Sequence, residues 1–157
     1  MTRERGYTYI GLLILVALMG TVLATAGVVW HTQLQRERES ELMFDGRQFA
    51  RAITLFYERT PVGQRPRFPA RLEDLVDDRR WPTTTRHLRR VFVDPMTGKP
   101  EWGIVRAPDG GILGVYSLSR EVPVKRASFG VPYTDFESAA TYQDWRFVYV
   151  APDNPTN

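Results

Sequence analysis

The stretch GYTYIGLLILVALMGTVLATAGVVW, residues 6–30, carries no charged side chain from Tyr7 to Trp30. Wound as an α-helix at roughly 1.5 Å per residue, residues 7–30 reach about 36 Å, enough to cross the hydrocarbon core of a bilayer. Arg3 and Arg5 precede the run and favour a cytoplasmic N-terminal end, which places the chain beyond Trp30 on the other side of the membrane. Within the run, Ala17, Gly20, Ala24 and Gly27 recur at three-four-three spacing and so share one helical face. Such a stripe lets helices approach closely in lipid. Membrane helices are also rich in Gly and Ala for no such purpose, and both readings stand.

The helix is expected to continue past the apolar run. Leu42, Phe49, Ile53 and Phe56, with Gly46 on the same side, keep a three-four spacing, while residues 35–41 read as a mixed-charge, solvated segment. In that segment Arg36 and Glu39, and Arg38 and Glu41, are helical neighbours of opposite charge, worth only a few tenths of a kcal/mol per pair. One helix over residues 7–59 follows, apolar all round in its first half and amphipathic in its second. Pro61, Gly63, Pro66 and Pro69 then end it, because proline cannot continue the hydrogen-bond ladder.

Beyond the prolines, residues 71–78 fit a short helix with Leu72, Leu75 and Val76 facing inward, and Asp94-Pro95-Met96-Thr97-Gly98-Lys99-Pro100 has the punctuation of a tight loop. Residues 101–107 and 112–119 flank Pro108-Asp109-Gly110-Gly111, a hairpin signal because Asp-Gly tolerates the positive φ angles of tight turns. Residues 145–150 supply a third strand, with Trp145, Phe147 and Tyr149 alternating against Arg146, Val148 and Val150. The segment between, residues 120–144, reads as irregular with a short helix near 135–140. The expected fold class is α+β: a long N-terminal helix packed on a small antiparallel sheet of about three strands.

Composition agrees with one small head. The chain has 157 residues, 43% hydrophobic and 25% charged, with a net charge of +3. Once about 24 residues are given to the anchor, the remainder supports a single modest core. With no cysteine, neither a disulfide nor a thiolate nucleophile or ligand is available. The small net charge does not by itself point to nucleic acid.

The head of the apolar run resembles the signal of type IV pilins and type II secretion pseudopilins: a short basic leader, Met1-Thr2-Arg3-Glu4-Arg5-Gly6, then aromatic Tyr7 and an unbroken apolar helix. A discarded secretory signal instead has its cleavage site after its apolar core. The resemblance implies processing at Gly6 and Tyr7 by a prepilin peptidase, which cuts after Gly6 and methylates the new amine of Tyr7. Gly11 stands where that family usually has a glutamate, the fifth mature residue, which implies a limited or initiating role in assembly, or assembly helped by glutamate-bearing partners. Gly20 falls where the family commonly has glycine, and Val28 replaces a proline often found later in the anchor. Within the head, Asp94-Pro95-Met96-Thr97-Gly98, Glu101-Trp102-Gly103, Tyr116-Ser117 and Tyr142-Gln143-Asp144-Trp145 look like landmarks of major, G-type pseudopilins.

The resemblance therefore implies a pilin-like lollipop: leader 1–6, transmembrane helix 7–30, amphipathic continuation 31–59, and a periplasmic globular head 60–157 packed on 31–59. It further implies a structural subunit, single-pass in a bacterial inner membrane, that assembles through its helix into a periplasmic pseudopilus promoting export across the outer membrane. Its partners would be the prepilin peptidase, other pseudopilins and inner-membrane assembly components. The alternative from the same family is a minor type IV pilin acting in adhesion or DNA uptake. Major pseudopilins commonly bind calcium before the last strand. Here that loop offers Asp135, Glu137, Ser138, Thr141 and Asp144, but the family's closely spaced aspartates before its Trp are not reproduced. No metal ligand is therefore assigned, and no cofactor is expected.

Catalytic chemistry is hard to place in this sequence. Acyl transfer needs a nucleophile, a base and an orienting group, and the two imidazoles are His31, beside Trp30 at the expected membrane boundary, and His87, among Arg86, Arg89 and Arg90. The first reads as an interfacial polar residue and the second as part of a solvated basic patch. Neither a Walker phosphate loop nor a His-Glu-x-x-His helix occurs, and no enzyme is expected. Arg65, Arg67, Arg71, Arg79, Arg80, Arg86, Arg89 and Arg90, with Trp81 able to stack on a base, suggest DNA binding. Glu73, Asp74, Asp77 and Asp78 interrupt them, so a charge-balanced surface is expected instead.

Overall fold

The computed structural model describes residues 5–151; the side chains of residues 5–7, 22–29 and 31 lie outside the described ones. The chain divides into two compact units, Met1–Glu37 and Arg38–Asn157. A single helix, α1, runs over Arg5–Glu58, within two residues of the expected bounds at each end. In the first unit, the described apolar side chains from Tyr9 to Met19 are at least half exposed. Among the described residues no helix is long and apolar enough to cross a membrane. The expected span over 7–30 includes undescribed side chains and stays a reading of the sequence.

The Arg38–Asn157 unit is α+β. The later part of α1 buries Leu42, Phe49, Ile53 and Phe56, the four apolar positions picked out by their spacing. They pack against Trp102, Ile112, Val115, Phe136, Trp145 and Phe147 in one core. Much of that core is aromatic: Phe49 meets Trp102 edge-on at 5.1 Å, and Phe136 stacks on Trp145 at 5.4 Å. Offset and edge-to-face pairs of this kind add about 0.5–1.5 kcal/mol each beyond the area they bury. Gly46 faces the sheet where a Cβ would overlap the Phe147 ring. Its missing side chain lets helix and strand come together.

Strands β1 (Gly103–Arg106), β2 (Ile112–Tyr116) and β3 (Phe147–Val148) form an antiparallel sheet in the order β1-β2-β3. β1 and β2 are the expected hairpin: Gly103 pairs with Tyr116 and Ile104 with Val115, and a register shift between Val105 and Arg106 twists the end toward the turn. Gly110 there takes φ +83°, as an Asp-Gly turn requires. All three strands are shorter than expected. β3 pairs over only Phe147 and Val148, although Tyr149 N–H still donates to the Leu113 carbonyl at 2.8 Å. The alternation of its side chains holds from Trp145 to Phe147, where Trp145 and Phe147 are buried and Arg146 exposed; beyond the two-residue ladder Val148 and Tyr149 are both half-buried and the alternation is lost.

Both short helices expected from the sequence form as single 3₁₀ turns, Leu72–Leu75 and Thr134–Ser138, followed by a third at Tyr142–Asp144. The first and third are held by an aspartate reaching back to preceding amides. Asp74 accepts from Ala70 and Arg71, and Asp144 accepts from Ala140 and Thr141. Such local side-chain bonds compete with a continuing α-helix and favour one tight turn.

Candidate functional site

The residues singled out in the apolar run fall on α1. Ala17 and Gly20 are exposed, and a Cβ at Gly20 or at Gly11 would meet open space. The processing pair Gly6 and Tyr7, and Ala24 and Gly27 of the small-residue stripe, lie within the helix, but their side chains are outside the described residues.

A buried group of charges lies elsewhere, around the last turn of α1. Asp78 is buried and binds Arg80 side-on, Nε to Oδ1 at 2.8 Å and Nη2 to Oδ2 at 2.7 Å. His87 Nε2 meets the same Oδ2 at 3.0 Å. Arg80 Nη2 also donates to the Phe56 carbonyl at 2.6 Å, and the guanidinium carbon lies 3.6 Å from the centre of the Phe56 ring. One of the orphan carbonyls at a helix C-terminus is thereby paired with a cation, which the helix dipole favours. Burial works to raise the Asp78 carboxyl, but the hydrogen bonds from Arg80 and His87 and the Arg80 charge outweigh it. Its pKa is held at about 2.

This corrects two expectations. His87 is not part of a solvated basic patch, since its side chain is 1% exposed. Arg80 is not a surface arginine either, at 5%. The sequence cue is Asp-x-Arg just after a proline-rich helix stop, but only the returning chain brings His87 to the same carboxylate. Breaking such a buried pair costs about 3–5 kcal/mol, because one charge is left without a partner. Arg80 Nη1 remains buried without a hydrogen bond, as does the indole N–H of half-buried Trp81.

A third correction concerns the segment 35–41. Glu39 is 3% exposed, and its carboxylate accepts from the Val124 and Lys125 amides and from the Tyr142 hydroxyl. Rather than pairing with Arg36 on a wet helix face, it fastens the irregular segment after β2 to α1. Asp94 does the same for its loop, accepting from Met96 N–H, the Thr97 hydroxyl and the Ser117 hydroxyl. The sequence landmarks Asp94 and Ser117 thus meet across the fold.

Aspartate and histidine in contact are two parts of an acyl-transfer relay, which also needs a nucleophile within hydrogen-bond reach. Among the described residues no hydroxyl is hydrogen-bonded to His87; its imidazole instead meets the Phe56 ring edge-on at 5.6 Å. In the loop before β3, Glu137 accepts from Ser128 N–H, and Asp144 is lowered first by the Thr141 backbone bond. Both carboxylates are therefore already bonded to the chain. Among the described residues no three His, Cys, Asp or Glu side chains gather as metal ligands would. Comparison with protein families, curated proteins and solved structures finds no match to this chain.

Proposed function

We propose that this protein is a structural pseudopilin subunit of a type II secretion system, anchored in the inner membrane by α1 and drawn into a periplasmic filament. The observation that carries this reading is the apolar surface of α1 directly behind Gly6-Tyr7. Ile10, Leu12, Leu13, Ile14, Leu15, Val16, Leu18 and Met19 are each at least half exposed. Each such side chain gains about 1.5–3 kcal/mol when fully removed from water. Eight of them side by side call for a cover, and lipid before assembly and neighbouring helices after it would supply one. The Arg38–Asn157 unit, with its own core, would then set the contacts between neighbouring heads.

The test is the intact mass of the protein from its native membranes, with sequencing of its N-terminal peptide. A chain starting at a methylated Tyr7 is expected; a chain retaining Met1, or cut after Trp30, overturns the reading. Because Gly11 replaces the usual glutamate, this subunit needs glutamate-bearing partners, and a homogeneous filament of this chain alone would contradict that role. A second reading, a minor type IV pilin for adhesion or DNA uptake, draws on the exposed arginines 65, 67, 71, 79, 86, 89 and 90. Co-purification with secretion subunits or with a pilus separates the two.

A further inference from the structure

Beside the Asp78–Arg80–His87 cluster opens a cavity of about 420 Å³, bounded by Gln64, Arg67, Phe68, Arg79 and Arg80. Two carboxylates also border it, but both are engaged. Asp74 Oδ2 accepts the Ala70 and Arg71 amides, and Asp78 is matched by Arg80 and His87. The cations are less committed. Arg67 is exposed and makes no ion pair among the described residues, and Arg79 touches Asp77 at 3.5 Å with its side chain 90% exposed. Exposed pairs of this kind exchange readily. Arg80, by contrast, is locked by Asp78 and the Phe56 carbonyl, and its one unpartnered nitrogen, Nη1, is buried, so it forms the wall and offers no open donor.

We propose that this cavity binds a phosphate group, held by Arg67 and Arg79 from the rim with the Gln64 amide as a neutral donor, over a wall formed by the Asp78-paired Arg80. A guanidinium pairs its planar fork with two oxygens at once. A carboxylate would be satisfied by one such fork, whereas two rim guanidinium groups and an amide around one cavity match an anion with oxygens on several sides. Free phosphate and a phospholipid headgroup share this chemistry. The site lies wholly within the Arg38–Asn157 unit and does not depend on the proposed secretion role.

The experiment is calorimetric titration of the full chain in non-ionic detergent, once with inorganic phosphate and once with glycerophosphoglycerol, in a chloride buffer. Saturable binding of at least one probe is expected, weakened about tenfold by Arg67→Gln and changed less than about twofold by Arg120→Gln, an exposed arginine outside the cavity. Circular dichroism of both variants checks that the fold is intact. Tighter binding of inorganic phosphate assigns free phosphate as the ligand; tighter binding of glycerophosphoglycerol assigns a lipid headgroup. No saturable binding of either probe, or equal weakening by the two substitutions, overturns the proposal.

Discussion

Two acidic residues on α1 have opposite consequences for stability. Glu39 takes three donors from residues far along the chain, all reaching Oε1, with the Lys125 amide also meeting Oε2. Glu39→Gln keeps a carbonyl at the Oε1 position but turns an NH2 group toward the Lys125 amide at the other and should cost about 1–3 kcal/mol, while Tyr142→Phe should cost about 1 kcal/mol, both measured by denaturant unfolding. A parent-like midpoint for Glu39→Gln would show that the segment after β2 is held by other contacts. Asp45, at 5% exposure, behaves differently. Burial first, and the negative charge of Glu41 second, raise its carboxyl to about 6, with Arg90 pulling the other way. A raised folded pKa means that its stabilising contribution is full below the ordinary 3.8 and is lost as pH rises through about 6. Relative to Asp45→Asn, the parent should gain on the order of 1 kcal/mol between pH 7 and pH 5. Asp78 has the reverse sign: its contribution is present above 3.8 and lost as pH falls toward about 2.

At the level of elements, the contact between α1 and the sheet rests on Gly46, because a methyl group there would occupy the space of the Phe147 ring. Gly46→Ala should destabilise by about 1–3 kcal/mol despite alanine's better helix propensity, since overpacking outweighs the gain of about 1 kcal/mol. Combining it with Phe147→Leu should recover part of the loss, a coupling that a double-mutant cycle of unfolding free energies reads directly. Strictly additive losses would mean that helix and strand do not meet through this pair. The long helix and the hairpin were legible from the sequence because both are local: three-four spacing for one, Asp-Gly between alternating strands for the other. The ends of the strands and the shortness of the 3₁₀ turns were not, because where a ladder stops depends on which partner carbonyls lie opposite, and where a turn stops depends on backbone bonds such as those of Asp74 and Asp144.

For the molecule as a whole, the buried core residues among the described ones all lie at or after Leu42, within the Arg38–Asn157 unit. A chain beginning at Arg38 should therefore unfold cooperatively with a denaturation midpoint close to that of the full chain, followed by Trp102 and Trp145 fluorescence. Loss of a cooperative transition would show that the core needs the preceding helix. By itself the sequence determined the α+β class, the one long helix with its apolar head, the hairpin and the four helix positions that enter the core. Each follows from periodicity or turn chemistry within a few residues of chain. Only the tertiary structure decided that Glu39 is a buried acceptor and that Asp78, Arg80 and His87 form one cluster on the end of α1. Charged side chains look alike in a sequence whether solvated or buried. What separates them is a partner supplied by distant chain, since a charge leaves water only where hydrogen bonds and an opposite charge replace its hydration.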